Sequence, residues 1–328
     1  MKRSPHFARR ISYLTCLALI LFQLTPKSTV TAQQKPDAPT STLPQKANLI
    51  RLTVTVTDGK DGYAWGLDKS AFSVYDNKVQ QEIALFKGED APVSVGILLD
   101  ASGSMGSQKS ELFKIIKEAL TRFINLSLKT NEYFVIGFNE RPYILSDWTR
   151  DGNAVLDAIS NIEAKKNTAL YDACHVGIEQ VARGTQQRRV LLLITDGQDN
   201  ESRVSLNDIR RSLKEADVMV YAVAVGSIQS RIENSTPFQE GHFILDQLTS
   251  LTGGNLLVPN NKSELNAAFE QIALELRRQY TIGFTPAIDG NWHRIKVKVT
   301  PPTNAPREMK RLHTRSREGY YAPAANPR

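Results

Sequence analysis

Five oxygen-bearing side chains stand where they could hold a metal ion. Asp100, Ser102 and Ser104 follow one apolar run of the sequence, Asp196 follows another, and Thr168 lies at the start of a predicted helix between them. Carboxylate and hydroxyl oxygens suit a hard divalent cation, Mg²⁺ first and Mn²⁺ second, whereas Zn²⁺ favours His or Cys. These residues therefore predict a magnesium site if the chain brings them to one place.

The elements that would position these residues alternate between strand and helix. Near-continuous apolar runs predict strands buried on both faces of a parallel sheet, and amphipathic periodicity predicts helices between them. Such a fold is α/β, a doubly wound, mostly parallel sheet with helices on both faces, and it gathers ligands at the carboxyl ends of its strands. The predicted strands are residues 93–99, 133–138, 190–195 and 218–225, and the predicted helices are residues 112–124, 153–162, 169–182, 206–216, 244–251 and 263–276.

Two β segments flank this region, and each has about 45 residues, which is too few to bury a good core alone. We therefore expect them to pair into one small β-sandwich with the α/β domain inserted between them. Their predicted strands are residues 49–57, 72–75 and 83–86, then 280–284, 294–299 and a segment ending at Tyr321. The predicted organisation is a signal peptide (1–32), a flexible spacer (33–46), an N-terminal β segment (47–90), the α/β domain (91–279) and a C-terminal β segment (280–328).

The N-terminus has the three-part pattern of a secretory signal. Four cations precede an uncharged run at residues 11–24, which is shorter than the roughly 20 residues that span a bilayer. Cleavage near Ala32 would leave an exported protein without a membrane span, periplasmic or secreted; an uncleaved N-terminal anchor is the alternative. Cys174 is then the single cysteine, which excludes an internal disulfide.

The positive charge of the chain lies mostly in this signal. The formal net charge of +7 falls to +2 when the five cations of residues 1–32 are removed, because that stretch has no Asp or Glu. A nucleic-acid-binding protein is expected to keep its charge in the folded part. The small net charge of the remaining chain argues against a nucleic-acid partner.

The order Asp100-x-Ser102-x-Ser104, then Thr168, then Thr195-Asp196-Gly197 resembles the von Willebrand factor A domain family across roughly residues 91–279. The flanking segments VTVTD, FSVYDNKVQQEI, LRRQYTIGF and GYYA resemble a bacterial exported subfamily, although these patterns carry no known chemistry. The resemblance implies a metal-ion-dependent adhesion site. In it Ser102 and Ser104 coordinate directly, Thr168 does so directly or through water, and the two Asp act largely through water.

That resemblance implies an exported, non-enzymatic adhesion or protein-binding module whose Mg²⁺ accepts a Glu or Asp carboxylate of a protein partner. One alternative is a metal-assisted hydrolase using the same ion, for which the sequence places no His or Glu as general base at the strand ends. Another is a scaffold with a vestigial site. In some family members the last helix moves on ligand binding, so residues 263–278 could relay occupancy to the flanks.

Other candidate residues have structural interpretations. Cys174 is expected to be a buried helix residue without catalytic function, and His175 a packed or surface residue. Asp199 is expected to stabilise a turn. The basic run from Arg294 to Arg317 alternates along a strand, which predicts a solvated sheet face; contact with acidic lipids or polymers is the alternative.

Overall fold

Fourteen strands form three sheets among the residues that the computed structural model describes, which are 49–59, 62–105, 110–160, 162, 167–229, 236–303 and 305–325. The predicted signal peptide and spacer lie outside these described residues. The strands are β1 (Ile50–Thr57), β2 (Phe72–Asp76), β3 (Val79–Gln81), β4 (Leu85–Lys87), β5 (Val93–Asp100), β6 (Glu132–Phe138), β7 (Pro142–Thr149), β8 (Arg188–Thr195), β9 (Met219–Ala224), β10 (Leu256–Leu257), β11 (Tyr280–Phe284), β12 (Trp292–Val299), β13 (His313–Arg315) and β14 (Gly319–Tyr321).

The central sheet has the order β10-β9-β8-β5-β6-β7. Strands β5, β6, β8, β9 and β10 pair in parallel, and β7 pairs with β6 in the antiparallel sense. Strand β7 was not predicted from the sequence. It lies at the sheet edge and begins at a proline, and its side chains are only half buried, so it lacks the continuous apolar run of the inner strands.

Helices cover both faces of this sheet, as expected for a doubly wound fold. Alternate residues of one strand enter different cores: Ile97 and Leu99 pack on the side of the first, second and last helices, while Leu98 packs on the opposite side. The α/β prediction is confirmed. The helices are α1 (Glu111–Leu126), α2 (Gly152–Ile159), α3 (Leu170–Val181), α4 (Leu206–Glu215), α5 (Gly226–Gln229), α6 (Thr236–Thr252) and α7 (Lys262–Arg277).

Helix ends follow local capping chemistry where the sequence supplies it. Ser205 and Asp208 form the expected capping box at α4, in which each side chain bonds to the backbone of the other. The Ser110 hydroxyl accepts a hydrogen bond from the Phe113 amide at the start of α1. Helix α6 begins eight residues before the predicted 244–251 because its first half has no apolar periodicity to reveal it. No helix in the described part of the chain is both long and apolar enough to cross a membrane.

The flanking segments form two four-stranded sheets among the described residues, with the orders β13-β1-β11-β4 and β14-β12-β2-β3. Each sheet combines strands from both ends of the chain, and both contribute to one apolar core that includes Leu52, Val74, Ile282 and Val297. The predicted β-sandwich is therefore present. Residues 83 and 84 are not in a strand, and the hairpin joining β2 to β3 was not predicted; its turn residues Asn77 and Lys78 both have positive φ, as a tight hairpin turn requires.

Buried polar residues join α7 to the sandwich. The carboxylate of Glu275 accepts hydrogen bonds from the hydroxyls of Thr55 at 2.9 Å, Tyr63 at 3.1 Å and Tyr221 at 2.5 Å. Nη2 of Arg315, on β13, lies 2.7 Å from both carboxylate oxygens. Burial alone would lower the pKa of Arg315, but Glu275 outweighs it and raises this pKa. The charge of Glu275 is thus compensated inside the protein.

A second buried contact fixes the end of α7. Arg188, at the start of β8, donates to the Leu276 carbonyl at 2.6 Å and to the side-chain carbonyl of Gln279. The Gln279 amide donates in turn to the hydroxyls of Thr55 at 3.1 Å and Tyr221 at 2.9 Å. These hydrogen bonds connect Leu276, in the last turn of α7, and Gln279, which follows the helix, to strands β1, β8 and β9.

His293 is the centre of another polar cluster, inside the sandwich. Its Nδ1 lies 2.6 Å from Oδ1 of Asp76, and its Nε2 lies 3.0 Å from Oδ2 of Asp289. The Tyr320 hydroxyl donates to the other oxygen of Asp76 at 2.7 Å. Burial opposes protonation of His293, but the hydrogen bonds of Asp289 and Asp76 outweigh it and raise the pKa of this imidazole.

This cluster predicts a loss of stability with rising pH. Charged His293 stabilises the fold fully below the ordinary histidine pKa of about 6.5, and its contribution is lost as the pH rises through the raised pKa of the folded state. We expect His293→Gln to cost roughly 1–3 kcal/mol at low pH, because Asp76 stays buried without its partner, and to flatten this pH dependence. Urea unfolding over a pH series that starts below about 6.5 and ends above the raised pKa of His293 measures both.

The matched control is His175→Gln, because 44% of the His175 side chain is exposed on α3, where it lies 3.6 Å from Glu179. It should change neither the stability nor its pH dependence. Identical pH profiles for wild type and His293→Gln would contradict the prediction.

Candidate metal centre

The carboxyl ends of β5 and β8 lie side by side because the two strands pair in parallel, Leu99 opposite Ile194. Asp100 ends β5, and its Oδ2 accepts a hydrogen bond of 2.6 Å from the hydroxyl of Thr195, which ends β8. Asp196 is the next residue. Parallel pairing thus brings the two carboxylates, 96 residues apart in sequence, to one edge of the sheet.

Asp100 also shapes the loop that follows it. Its Oδ1 accepts a hydrogen bond of 2.7 Å from the Ser102 amide, and the chain then makes a short 3-10 turn over residues 103–105. Asp100 and Ser102 are fully buried. Ser104 lies within the turn, but its side chain is outside the described part of the structure, and so are residues 106–109.

Thr168 is held at the same edge by the loops on either side of it. The neighbouring Ala169 amide donates to the carbonyl of Asn139, one residue after β6, at 2.6 Å. The Thr168 amide donates to Oδ1 of Asn200 at 2.9 Å, and its carbonyl accepts from the amides of Asn200 and Glu201. Sequence reasoning predicted Thr168 but missed Asn200, which attaches it to the Asp196 loop.

The two carboxylates give the site uncompensated negative charge. Burial, and then repulsion from Asp196, raise the pKa of Asp100 to about 7. In the described structure neither Asp100 nor Asp196 forms an ion pair with a lysine or arginine. Two buried carboxylates without a cationic partner are unfavourable unless they are protonated or bind a cation.

The donor atoms fit a hard divalent cation. Asp100, Ser102, Thr168 and Asp196 are all at most 5% exposed and supply only oxygen. No group of three or more His, Cys, Asp or Glu residues suited to a metal occurs in the described part of the chain. A metal bound at these four residues would have hydroxyl ligands beside the carboxylates, and such an oxygen set suits Mg²⁺ or Mn²⁺ better than Zn²⁺.

A second layer of polar residues supports the Thr168 loop. Helix α3 has no side-chain cap of its own, and the Tyr171 amide donates instead to Oδ1 of Asp199 at 3.2 Å and to the Ser202 hydroxyl at 3.0 Å. In the other direction, Oδ1 of Asp172 on α3 accepts hydrogen bonds of 3.0 Å from the amides of Arg203 and Val204. Asp199 is thus a structural residue, as its sequence context suggested.

Helix α6 comes very close to the Asp196 loop. A Cβ on Gly197, whose φ is +86°, would lie 2.5 Å from the Gly241 carbonyl oxygen, so neither glycine has room for a side chain. His242 is the residue after Gly241 on α6. Burial lowers the pKa of its imidazole, and the charge of Asp196 acts to raise it. Nothing in the local sequence indicated this histidine, because it reaches the site only through the packing of α6.

Two further side chains that the sequence singled out, Cys174 and His175, lie on α3. Cys174 is buried in α3, and burial followed by the charge of Asp199 raises the pKa of its thiol to about 12. His175 is half-buried on the same helix beside Glu179. Cys174 is therefore neutral at physiological pH.

Residues 95–198 match the family model of the von Willebrand factor type A domain. A curated relative, the uncharacterized protein sll0103 of Synechocystis sp., is 26% identical over 203 residues, which are 60% of this chain. The chain spans 44% of the length of that relative.

Several solved structures are similar in fold. A von Willebrand factor type A protein from Catenulispora acidiphila is 12% identical with a TM-score of 0.47, and the match covers 86% of this chain and 76% of that one. The vWF domain of the type V pili tip protein Mfa5 from Porphyromonas gingivalis is 12% identical with a TM-score of 0.44, covering 56% and 95%. The PilB minor pilin from Streptococcus sanguinis is 12% identical with a TM-score of 0.47, covering 58% and 62%.

Proposed function

Because residues 95–198 match the family model of the von Willebrand factor type A domain, we propose that the chain is a non-enzymatic protein-binding module that uses Mg²⁺. Asp100, Ser102, Ser104, Thr168 and Asp196 would hold the ion, and a Glu or Asp carboxylate of a protein partner would complete the site. The observation that supports this most is the pair of buried carboxylates, Asp100 and Asp196, which form no ion pair with a lysine or arginine among the described residues.

The residues of this site would have different roles in binding the ion. Asp100 orients its loop through the Ser102 amide and is itself oriented by Thr195, so its carboxylate is preorganised. Hydroxyls carry no charge, so two carboxylates only just balance a divalent cation. Mg²⁺ bound here would supply an electrophilic centre with a free coordination position, and an acidic side chain is the ligand that such a position favours.

We further propose that the chain is exported, periplasmic or secreted. The support is the N-terminal pattern of cations, a short apolar run and small residues before Gln33. An extracytoplasmic location agrees with a module that binds other proteins and has a single cysteine after the signal.

A peptide selection tests the acidic-ligand proposal directly. Immobilised protein is exposed to a random peptide library on phage in Mg²⁺, and bound phage are released with EDTA. We expect the released peptides to share an Asp or Glu, and its replacement by Asn or Gln to abolish binding, because the amide has no charge to offer the ion.

Two variants are immobilised for comparison. Asp196→Asn should retain none of these peptides. Asp246→Asn, a substitution at an exposed position of α6, is the control and should retain them all. Bound phage that EDTA fails to release, or released peptides that lack an acidic residue, would refute the proposal. Turnover of phosphate esters, carboxylic esters or peptides in Mg²⁺ or Mn²⁺ would favour the hydrolase alternative, with His242 as the residue to replace next.

A further inference from the structure

A row of cations lies on the outer face of the sandwich sheet that contains β12. Arg294, Lys296 and Lys298 are exposed, while Ile295 and Val297 between them point into the sandwich core. Residues two apart on a strand are separated by about 6.7 Å, so the row is about 13 Å long. The alternation that predicted a solvated sheet face also aligns three positive charges along one line.

These cations line an open groove of about 580 Å³. Its remaining lining residues are Tyr75 and Asn77 of the neighbouring strand and turn, and Lys78, a fourth exposed cation. Among the described residues, no carboxylate lines this groove and none of the four cations forms an ion pair. Like charges gathered without counter-ions repel one another, so an anionic ligand would relieve this repulsion.

We propose that this groove binds a linear acidic polysaccharide, which lies along β12. A line of cations suits a linear chain that carries repeated negative charge, and the guanidinium of Arg294 suits a bidentate carboxylate. The Asn77 amide and the Tyr75 hydroxyl are neutral polar groups in the same groove and suit sugar hydroxyls. The binding surface is separate from the Asp100 and Asp196 site and does not depend on it.

The groove fits other polyanions less well. Single-stranded nucleic acid is bound by stacking its bases on free aromatic faces, but the Lys298 ammonium lies over the Tyr75 ring at 4.9 Å from the centroid and covers it. A membrane surface favours basic patches with exposed apolar side chains that enter the interface. The groove is concave, and Tyr75, its one aromatic residue, is half buried.

The test measures anisotropy of fluorescein-labelled oligogalacturonate, with EDTA present so that the metal site cannot contribute. We expect wild type to bind, with affinity falling as salt increases between about 50 and 200 mM. Lys296→Glu and Lys298→Glu should each weaken binding roughly tenfold, because each replaces attraction by repulsion. Both side chains are exposed, so both variants should keep the wild-type urea midpoint.

The matched control is Lys87→Glu, an equal charge change at an exposed position of β4 in the other sheet, which should alter the affinity by less than about twofold. Equal weakening by all three substitutions would overturn the proposal, and so would the absence of wild-type binding. Tighter binding of an oligothymidylate or of phosphatidylglycerol vesicles than of oligogalacturonate would also overturn it, in favour of those classes.

Discussion

Replacing Asp100 with asparagine is expected to abolish the stabilisation of the protein by Mg²⁺. A ligand that binds only the folded state adds about 2.7 kcal/mol at a hundredfold excess over its Kd. That corresponds to a rise in Tm of roughly 5–10 °C for a domain of 150–250 residues. Thermal unfolding with and without Mg²⁺ should show this rise for wild type and none for Asp100→Asn.

The substitution removes charge and leaves the local structure in place. An asparagine oxygen can still accept from the Ser102 amide, and the Thr195 hydroxyl can rotate to accept from the new amide group. Without Mg²⁺ the variant should therefore melt no lower than wild type, because the repulsion from Asp196 is relieved. A large loss of stability without metal would indicate a structural carboxylate instead.

Asp246→Asn is the matched control, since it makes the same chemical change on the exposed face of α6. It should keep the full response to Mg²⁺. Calorimetric titration with Mg²⁺ gives an independent measurement, in which Asp100→Asn should bind at least about a hundredfold more weakly. An unchanged Mg²⁺ affinity in Asp100→Asn would exclude the proposed site.

The second large effect is expected at the joint between α7 and the sandwich. Arg315→Ala should lower the free energy of unfolding by about 3 kcal/mol, because it leaves the charge of Glu275 buried without a cation. Glu275 has only 1% of its side chain exposed, whereas Arg315 has 31%, so the estimate is at the lower end of the range for buried pairs. Urea unfolding measures the change.

The control is Arg277→Ala, which breaks an exposed ion pair of 2.8 Å with Asp90 and should cost less than about 1 kcal/mol. The decisive variant is the double substitution of Arg315→Ala with Glu275→Gln. It should recover part of the lost stability, because the neutral amide needs no cation while the hydroxyls of Thr55, Tyr63 and Tyr221 remain as donors. A double variant less stable than Arg315→Ala would contradict this explanation.

Residue patterns predicted most of the central fold because burial imposes them locally. The apolar run of β5 and the periodicity of α1 survive in the structure almost to the residue, since a strand buried on both faces and an amphipathic helix each need that pattern. Strands β3, β7, β10 and β13 were missed. They are short or lie at sheet edges, so partners distant in sequence create them.

The candidate site was likewise predicted only in part from local sequence patterns. Strand-end positions indicated Asp100, Thr168 and Asp196 together, and the structure places all three at one edge; their binding of a metal stays a prediction. Asn200, Gly241 and His242 reach this edge only through loop and helix packing. Signal cleavage also stays a prediction.

The sequence by itself determined which residues can form strands and helices, and so which oxygens stand at the ends of parallel strands. Only the tertiary structure decided where charge is compensated. Glu275 belongs to an amphipathic helix, where an acidic residue normally faces solvent, yet it is buried against Arg315, 40 residues away, and Thr55, 220 residues away. Pairing across such distances depends on which surfaces meet, and local side-chain patterns carry no information about that.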